Sequence, residues 1–245
     1  KQRSGTITDH AFYDTARGGS RVLSSNNTLA EAYNANTGIK AFNSTGYTLD
    51  NYGTVKINNT GDNDVSWTFR EAAKFFDVVT YTGNGANRTI AHSLGIAPGM
   101  ILIKWTNDSA DWFVYHRSLA NTEYLVLNGI AAKATAANAW NSTTADASTF
   151  SLGGHSNVNI NGGSFVAYLF AHDTASTGLI QCGSFTTDAS GNASVTLGWE
   201  PQFAILKNTN GTNYNWVTLD SMRGWVASIS LLAALYPITS GAESI

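Results

Sequence analysis

The feature that most limits what this chain can fold into is its alignment with itself. Leu94-Gly95-Ile96-Ala97-Pro98-Gly99-Met100-Ile101-Leu102-Ile103-Lys104 returns as Leu197-Gly198-Trp199-Glu200-Pro201-Gln202-Phe203-Ala204-Ile205-Leu206-Lys207, an offset of 103 residues (94 to 197). A tryptophan and apolar residues follow each copy, as Trp112-Phe113-Val114 and Trp216-Val217. A second set of matches joins the first part of the chain to the middle. Phe12-Tyr13-Asp14 aligns with Val114-Tyr115-His116, and Leu23–Asn26 with Leu125–Asn128, at an offset of 102 (14 to 116). Val65-Ser66-Trp67-Thr68-Phe69 aligns with Val166–Phe170 at an offset of 101 (65 to 166). Asp14-Thr15-Ala16-Arg17-Gly18 returns as Asp220-Ser221-Met222-Arg223-Gly224. Self-similarity at a fixed period means one structural unit is copied, with neighbours completing each other's cores.

The phase of the repeat sets the expected organisation. Lys1 takes the place of Lys104 and Lys207, so the first unit is expected without its opening strands and the third without its closing ones. The boundaries read as a partial unit over 1–72, a complete unit over 73–173 and a partial unit over 174–245. The expected fold is all-β, built of tandem antiparallel sandwich-like units of about 100 residues each.

The segments within a unit read as strands. Met100–Trp105 is apolar and follows a Leu-Gly-x-x-Pro stop that would break a helix. Asp111–His116 and Glu123–Asn128 are short runs bounded by turn residues, and Ser164–Ala171 shows the period-2 pattern of a half-buried strand. Ala131–Ala139 and Leu29–Tyr33 are alanine-containing and predict short helical turns. Trp225–Tyr236 fits either a buried strand or a short apolar helix that ends at Pro237.

Charge and cysteine content narrow the partners. Only 13% of residues are charged and 43% are hydrophobic, which suits a packed β fold with a neutral polar surface and not a disordered chain. A formal net charge of −3 gives no basic footprint for nucleic acid. Cys182 is the single cysteine, so packing rather than disulfides holds the fold. The longest apolar run, Ile229–Tyr236, is too short to span a bilayer, no secretory leader pattern is visible, and no membrane insertion is expected.

No spacing calls for a metal or another cofactor. His10, His92, His116, His155 and His172 form no HxH, HxxxH or HExxH pattern. There is no Gly-x-Ser-x-Gly elbow, and the acids are too scattered to suggest a glycosidase pair. Asp14, His116 and Asp220 share one repeat position, so that position tolerates different residue types and is not a specified catalytic group. The Asp-x-x-Arg-Gly motif at Asp14, Arg17, Gly18 and at Asp220, Arg223, Gly224 reads as a structural turn in preference to an anion site. Among the tryptophans, Trp112 and Trp216 repeat in register and read as packing residues. Trp105 and Trp140 differ between units, with Trp140 at the place of Phe42. They are the surface candidates for stacking on a sugar, together with Asn141 beside Trp140.

The strings DHAFYDTARGGSRVLSSNNTLAEA (Asp9–Ala32), AFNSTGYTL (Ala41–Leu49) and VSWTF (Val65–Phe69) resemble a repeat domain of virion proteins from marine and cyanobacterial tailed bacteriophages. So do VVTYTGNG (Val78–Gly85), HSLGIAPGMILIK (His92–Lys104), WFVYHRSL (Trp112–Leu119) and YLVLN (Tyr124–Asn128). The resemblance spans nearly the whole chain and fades over Trp225–Ile245. It implies a non-enzymatic tail-fibre or receptor-binding appendage located in the virion. The expected partners are other virion proteins, further copies of the chain (a trimer foremost) and a host-surface glycan. A carbohydrate-binding module, or a capsid-decorating or baseplate protein, is the alternative.

Overall fold

The computed structural model describes residues 1, 9–33, 38–50, 57, 61, 63–224 and 234–241. The fold is all-β. Strands β1 (Ala11–Phe12), β2 (Arg21–Ser24) and β3 (Ala32–Tyr33) make one small sheet, and β4 (Gly38–Asn43) with β5 (Gly46–Asp50) makes a hairpin. The middle of the chain carries β6 (Phe76–Thr82), β7 (Arg88–Ala91), β8 (Pro98–Trp105), β9 (Phe113–His116), β10 (Glu123–Val126), β11 (Ala134–Thr135), β12 (Thr149–Leu152) and β13 (Ser164–Ala171). A single helical turn, α1 (Ser156–Asn159), precedes β13. Strands β14 (Phe203–Leu206) and β15 (Val217–Asp220) pair with each other.

Six of these strands form one antiparallel sheet in the order β11-β10-β9-β8-β13-β6. Two neighbouring interior strands, β8 and β13, hold the apolar runs Met100–Ile103 and Phe165–Ala171, as expected of strands buried on both faces. Alternation then sorts their side chains. Ile101, Ile103, Phe113, Tyr115, Phe165, Ala167 and Leu169 face the two-stranded β7·β12 sheet and α1, closing a sandwich-like core with Trp140 and Phe150. Met100, Leu102, Val114, Leu125, Val166 and Tyr168 face the other way. There they meet Leu23, Phe12 and Phe69 from the first part of the chain and Cys182, Ile205, Trp216 and Ile238 from the last.

The pairing registers follow the sequence offsets. Ala11↔Ser24 and Phe12↔Leu23 occupy the places of Phe113↔Val126 and Val114↔Leu125, each partner moved by 102 (11 to 113, 24 to 126). Arg21↔Tyr33 stands in the same relation to Glu123↔Thr135. Ile205↔Thr218 takes the place of Leu102↔Val114. The Lys1 backbone nitrogen donates to the Val65 carbonyl at 3.0 Å and the Val65 N–H to the Lys1 carbonyl at 2.9 Å, where the middle of the chain has Lys104↔Val166.

Two expectations are corrected. The alanine-containing segments are not helical: Ala134–Thr135 and Ala32–Tyr33 are two-residue edge strands whose ladder bonds to β10 and β2 override alanine's helix propensity. The helical turn lies instead at Ser156–Asn159, capped by the His155 ring accepting from the Asn157 N–H. Most of Trp225–Tyr236 lies outside the described residues; within it, Ala234 is buried and Leu235 bridges to Thr218.

The first and last described segments touch. Lys1 Nζ donates to the Ser240 carbonyl at 2.8 Å, and Ser25 Oγ to the Pro237 carbonyl at 2.6 Å. Trp67 Nε1 donates to Asp220 Oδ2 at 3.0 Å.

Candidate functional site

The Asp-x-x-Arg-Gly motif closes on itself in both copies. Asp14 ends the chain segment that follows β1; its Oδ1 accepts the Arg17 N–H at 2.8 Å and its Oδ2 the Arg17 Nε at 2.6 Å. Asp220 at the end of β15 does the same for Arg223, at 3.0 and 2.6 Å. Gly18 and Gly224 follow in the left-handed region, φ +93° and +100°, a backbone that glycine adopts without strain. The remaining Arg17 donors are engaged too: Nη1 on Glu31 Oε2, Nη2 on the Phe12 carbonyl and on the Tyr168 hydroxyl.

Each turn receives an aromatic from a distant segment. The Tyr168 hydroxyl donates to Asp14 Oδ2 at 2.6 Å, and burial pushes that hydroxyl well above its ordinary pKa. Trp67 serves Asp220, with the Arg223 guanidinium 5.4 Å from the Trp67 ring centroid. Tyr168 and Trp67 are equivalent in the repeat (67 to 168). The side chains of Arg17 and Arg223 are only 4% and 1% exposed, so neither presents a donor to an external anion. In the middle of the chain the turn has a different chemistry. His116 holds the Ser118 N–H on its Nδ1, and Leu119 stands where the other copies have arginine. Burial, with help from Arg117 and His172, holds the His116 imidazole down at about 4.

The aromatic candidates separate. Trp140 is a core residue, contrary to the surface expectation. It is 1% exposed, edge-on to Tyr115, with its Nε1 donating to the Glu123 carbonyl at 2.9 Å. Asn141 beside it has φ +50° and spends its carbonyl on the Thr143 hydroxyl in a tight turn. Trp105 is half-buried at the end of β8, stacked on Phe165 and donating to Asn107 Oδ1 at 2.6 Å. Trp112 and Trp216 are buried, as in-register tryptophans should be. Their indole nitrogens donate to the equivalent carbonyls of Ser24 and Val126, both at 2.9 Å.

A concavity begins at Thr106, the residue after Trp105. A groove of about 370 Å³ runs between the first sheet and the six-stranded sheet. Its walls include Arg21, Glu31, Thr80, Thr82, Thr106 and Ser164, with Phe165 at its floor. Hydroxyls and the Glu31 carboxylate shared by Arg17 at 2.8 Å and Arg21 at 2.6 Å give it a polar lining suited to a hydroxyl-rich ligand. Single-sequence reading missed this groove because its walls come from segments far apart in the chain. Among the described residues no cluster of three or more His, Cys, Asp or Glu could hold a metal ion. Cys182 is buried and its thiol is pushed up to about 12, which keeps it protonated.

A family described as "Domain of unknown function (DUF7483)" matches residues 1–245. No curated protein and no solved structure matches the chain.

Proposed function

The chain belongs to the DUF7483 family over residues 1–245, and from that premise we propose that it is a non-enzymatic virion structural protein of a tailed bacteriophage. Its tandem β units would form a tail-fibre or receptor-binding appendage contacting the host surface. The observation that carries this reading is the use made of the repeated polar position. Where an enzyme would expose a reactive group, Asp14 and Asp220 bind Arg17 and Arg223 inward and receive Tyr168 and Trp67 from other segments. These are joints between units, the chemistry of an assembled rod or appendage. The resemblance of Asp9–Phe69 and Val78–Asn128 to phage repeat domains supplies the biological setting.

Immunogold electron microscopy of phage particles that carry this chain tests the reading. Gold on tail fibres or baseplate is the expected result, and particles free of label would overturn it. Release of reducing ends from host polysaccharide by the purified chain would overturn its non-enzymatic part. Association into a homo-oligomer, a trimer by resemblance, belongs to the same proposal. Light scattering that returns the single-chain mass of 26.1 kDa would remove it.

A second reading has its own observation. The hydroxyl-lined groove fits a host-surface glycan, and the half-buried Trp105, next in the chain to the lining residue Thr106 and stacked on the lining residue Phe165, rather than the buried Trp140, is the stacking ring of this reading. Glycan-array binding that weakens on Trp105→Ala is expected, and binding unchanged by that substitution would discard the site.

A further inference from the structure

The β8 position of the repeat is met by a second backbone in two places. In the middle of the chain β13 lies along β8, pairing Lys104↔Val166, Leu102↔Tyr168 and Met100↔Phe170, and its Tyr168 reaches the Asp14 turn. At the start of the chain Val65 pairs with Lys1, and Trp67, two residues on, reaches the Asp220 turn. Both covering segments read Val-x-aromatic-x-Phe: Val65-Ser66-Trp67-Thr68-Phe69 and Val166-Ala167-Tyr168-Leu169-Phe170.

Strand β14 is the third strand of this type. It pairs with β15 in the register that β8 uses with β9. Among the described residues no strand covers its second edge. Phe203 and Leu206 on it remain 36% and 37% exposed, although the Phe203 ring already touches Trp67 and Phe69 on its face. An uncovered, apolar edge of unpaired N–H and C=O groups is a template for another strand. Among the described residues, the turn without an incoming aromatic is the one at His116, the third member of the Asp14, His116, Asp220 series.

We infer that the second edge of β14, with the His116 turn beside it, is an acceptor surface for an extended partner segment of the pattern Val-x-aromatic-x-Phe. The segment lies antiparallel to β14, with its valine opposite Leu206 or Lys207 and its aromatic over His116 and Leu119. Leu119 replaces the arginine of the other two turns, so this junction is more apolar and the aromatic needs no polar head. A tyrosine and a phenylalanine therefore serve equally there. The inference stands on pairing registers and is independent of the virion assignment.

A peptide copying Ser164–Ala171, flanked by lysines for solubility, is the probe, titrated into the 245-residue chain. Hydrogen exchange read by mass spectrometry should slow at Phe203–Leu206 and at His116–Leu119 and stay unchanged elsewhere. The peptide with its tyrosine replaced by phenylalanine should bind alike, and the one with alanine there at least about tenfold more weakly. Equal binding of a scrambled peptide, or protection that appears only away from β14, would overturn the inference. Protection of β14 without peptide that grows with protein concentration, alongside a dimer mass, would assign the edge to a second copy and overturn the partner-segment assignment.

Discussion

Lys104 shows how much one position can carry. It is 0% exposed, in the apolar strand β8, and its ammonium donates to the Thr28 carbonyl at 2.9 Å and the Ala110 carbonyl at 2.7 Å. Lys207 makes the same two bonds one repeat later, to Ile130 and Tyr214. Burial pulls the Lys104 pKa down to about 8, against the pull of Asp111 and Asp108 in the other direction. Lys104→Met keeps the stem but orphans two carbonyls, and denaturant melts at pH 7 should show a loss of about 2–3 kcal/mol. Because the folded pKa lies below the unfolded one, wild-type stability should rise from pH 8 towards 10, where tyrosine ionisation in the unfolded chain reverses the trend. The variant should lack that share of the rise. Trp140 teaches a different lesson about legibility. Its exchange with Phe42 between repeats suggested a surface site, yet two large aromatics can both fill apolar space, and identity change says little about burial. Trp140→Ala should cost about 3–5 kcal/mol in the same melts. Trp105→Ala, half-exposed, should cost roughly 1 kcal/mol.

At the scale of elements, the strands with clear alternation were readable and the short edge strands were not. Ser164–Ala171 matches β13 end to end. Its alternation of large and small residues predicted a half-buried strand, whereas both faces are buried because segments from the first and last parts of the chain cover the second one. Two-residue strands such as β3 and β11 carry no such signal, since their conformation is set by the neighbour they bond. What holds them includes a charge pair written in opposite senses. Arg21 on β2 pairs with Glu31 beside β3 at 2.6 Å, while Glu123 on β10 pairs with Lys133 beside β11 at 2.8 Å, the same two positions moved by 102 (21 to 123, 31 to 133). Position by position the repeat shows a charge reversal, and only the pairing across strands makes it a match. The two pairs differ in weight. Lys133 and Glu123 are partly exposed, and Lys133→Ala should change stability by less than about 1 kcal/mol. Glu31 also accepts from the buried Arg17, so Glu31→Ala leaves the Nη1 donor of a desolvated guanidinium unpaired, with Asp14 still as its counter-ion, and should cost about 1–3 kcal/mol. Equal losses in parallel urea titrations would show that Glu31 does not hold Arg17 as described.

For the whole molecule, the linear repeat hides a through-space relation. Alignment orders the segments along the chain but is silent on the meeting of first and last, which rests on bonds such as Ser25 to Pro237 and Lys1 to Ser240 and on a core shared by all three segments. His10 sits at that seam, at the place that Trp112 and Trp216 hold in the other copies (10 to 112), and it is only 4% exposed. Burial, reinforced by the nearby Lys1 charge, holds its imidazole down at about 3, despite a bond to the Tyr236 carbonyl. His116, His155 and His172 are lowered by burial as well. A group whose folded pKa is depressed in this way stays neutral in the native state while the unfolded chain takes up a proton below about 6.5. Stability should therefore be flat just above that pH and fall as the solution is acidified through it. Each such histidine contributes about 1.4 kcal/mol per pH unit until its own folded pKa is reached. Carboxylates, starting with those held low by hydrogen bonds such as Asp146, add to the loss only below about 4. His10→Asn retains a side-chain donor for the Tyr236 carbonyl and removes one titrating group. Its stability measured from pH 7 to 4.5 should decline less steeply than wild type by about one proton's slope. A variant whose acid limb runs parallel to wild type would mean that His10 already carries its charge in the folded seam, and that the meeting of first and last segments is wetter than its 4% exposure implies.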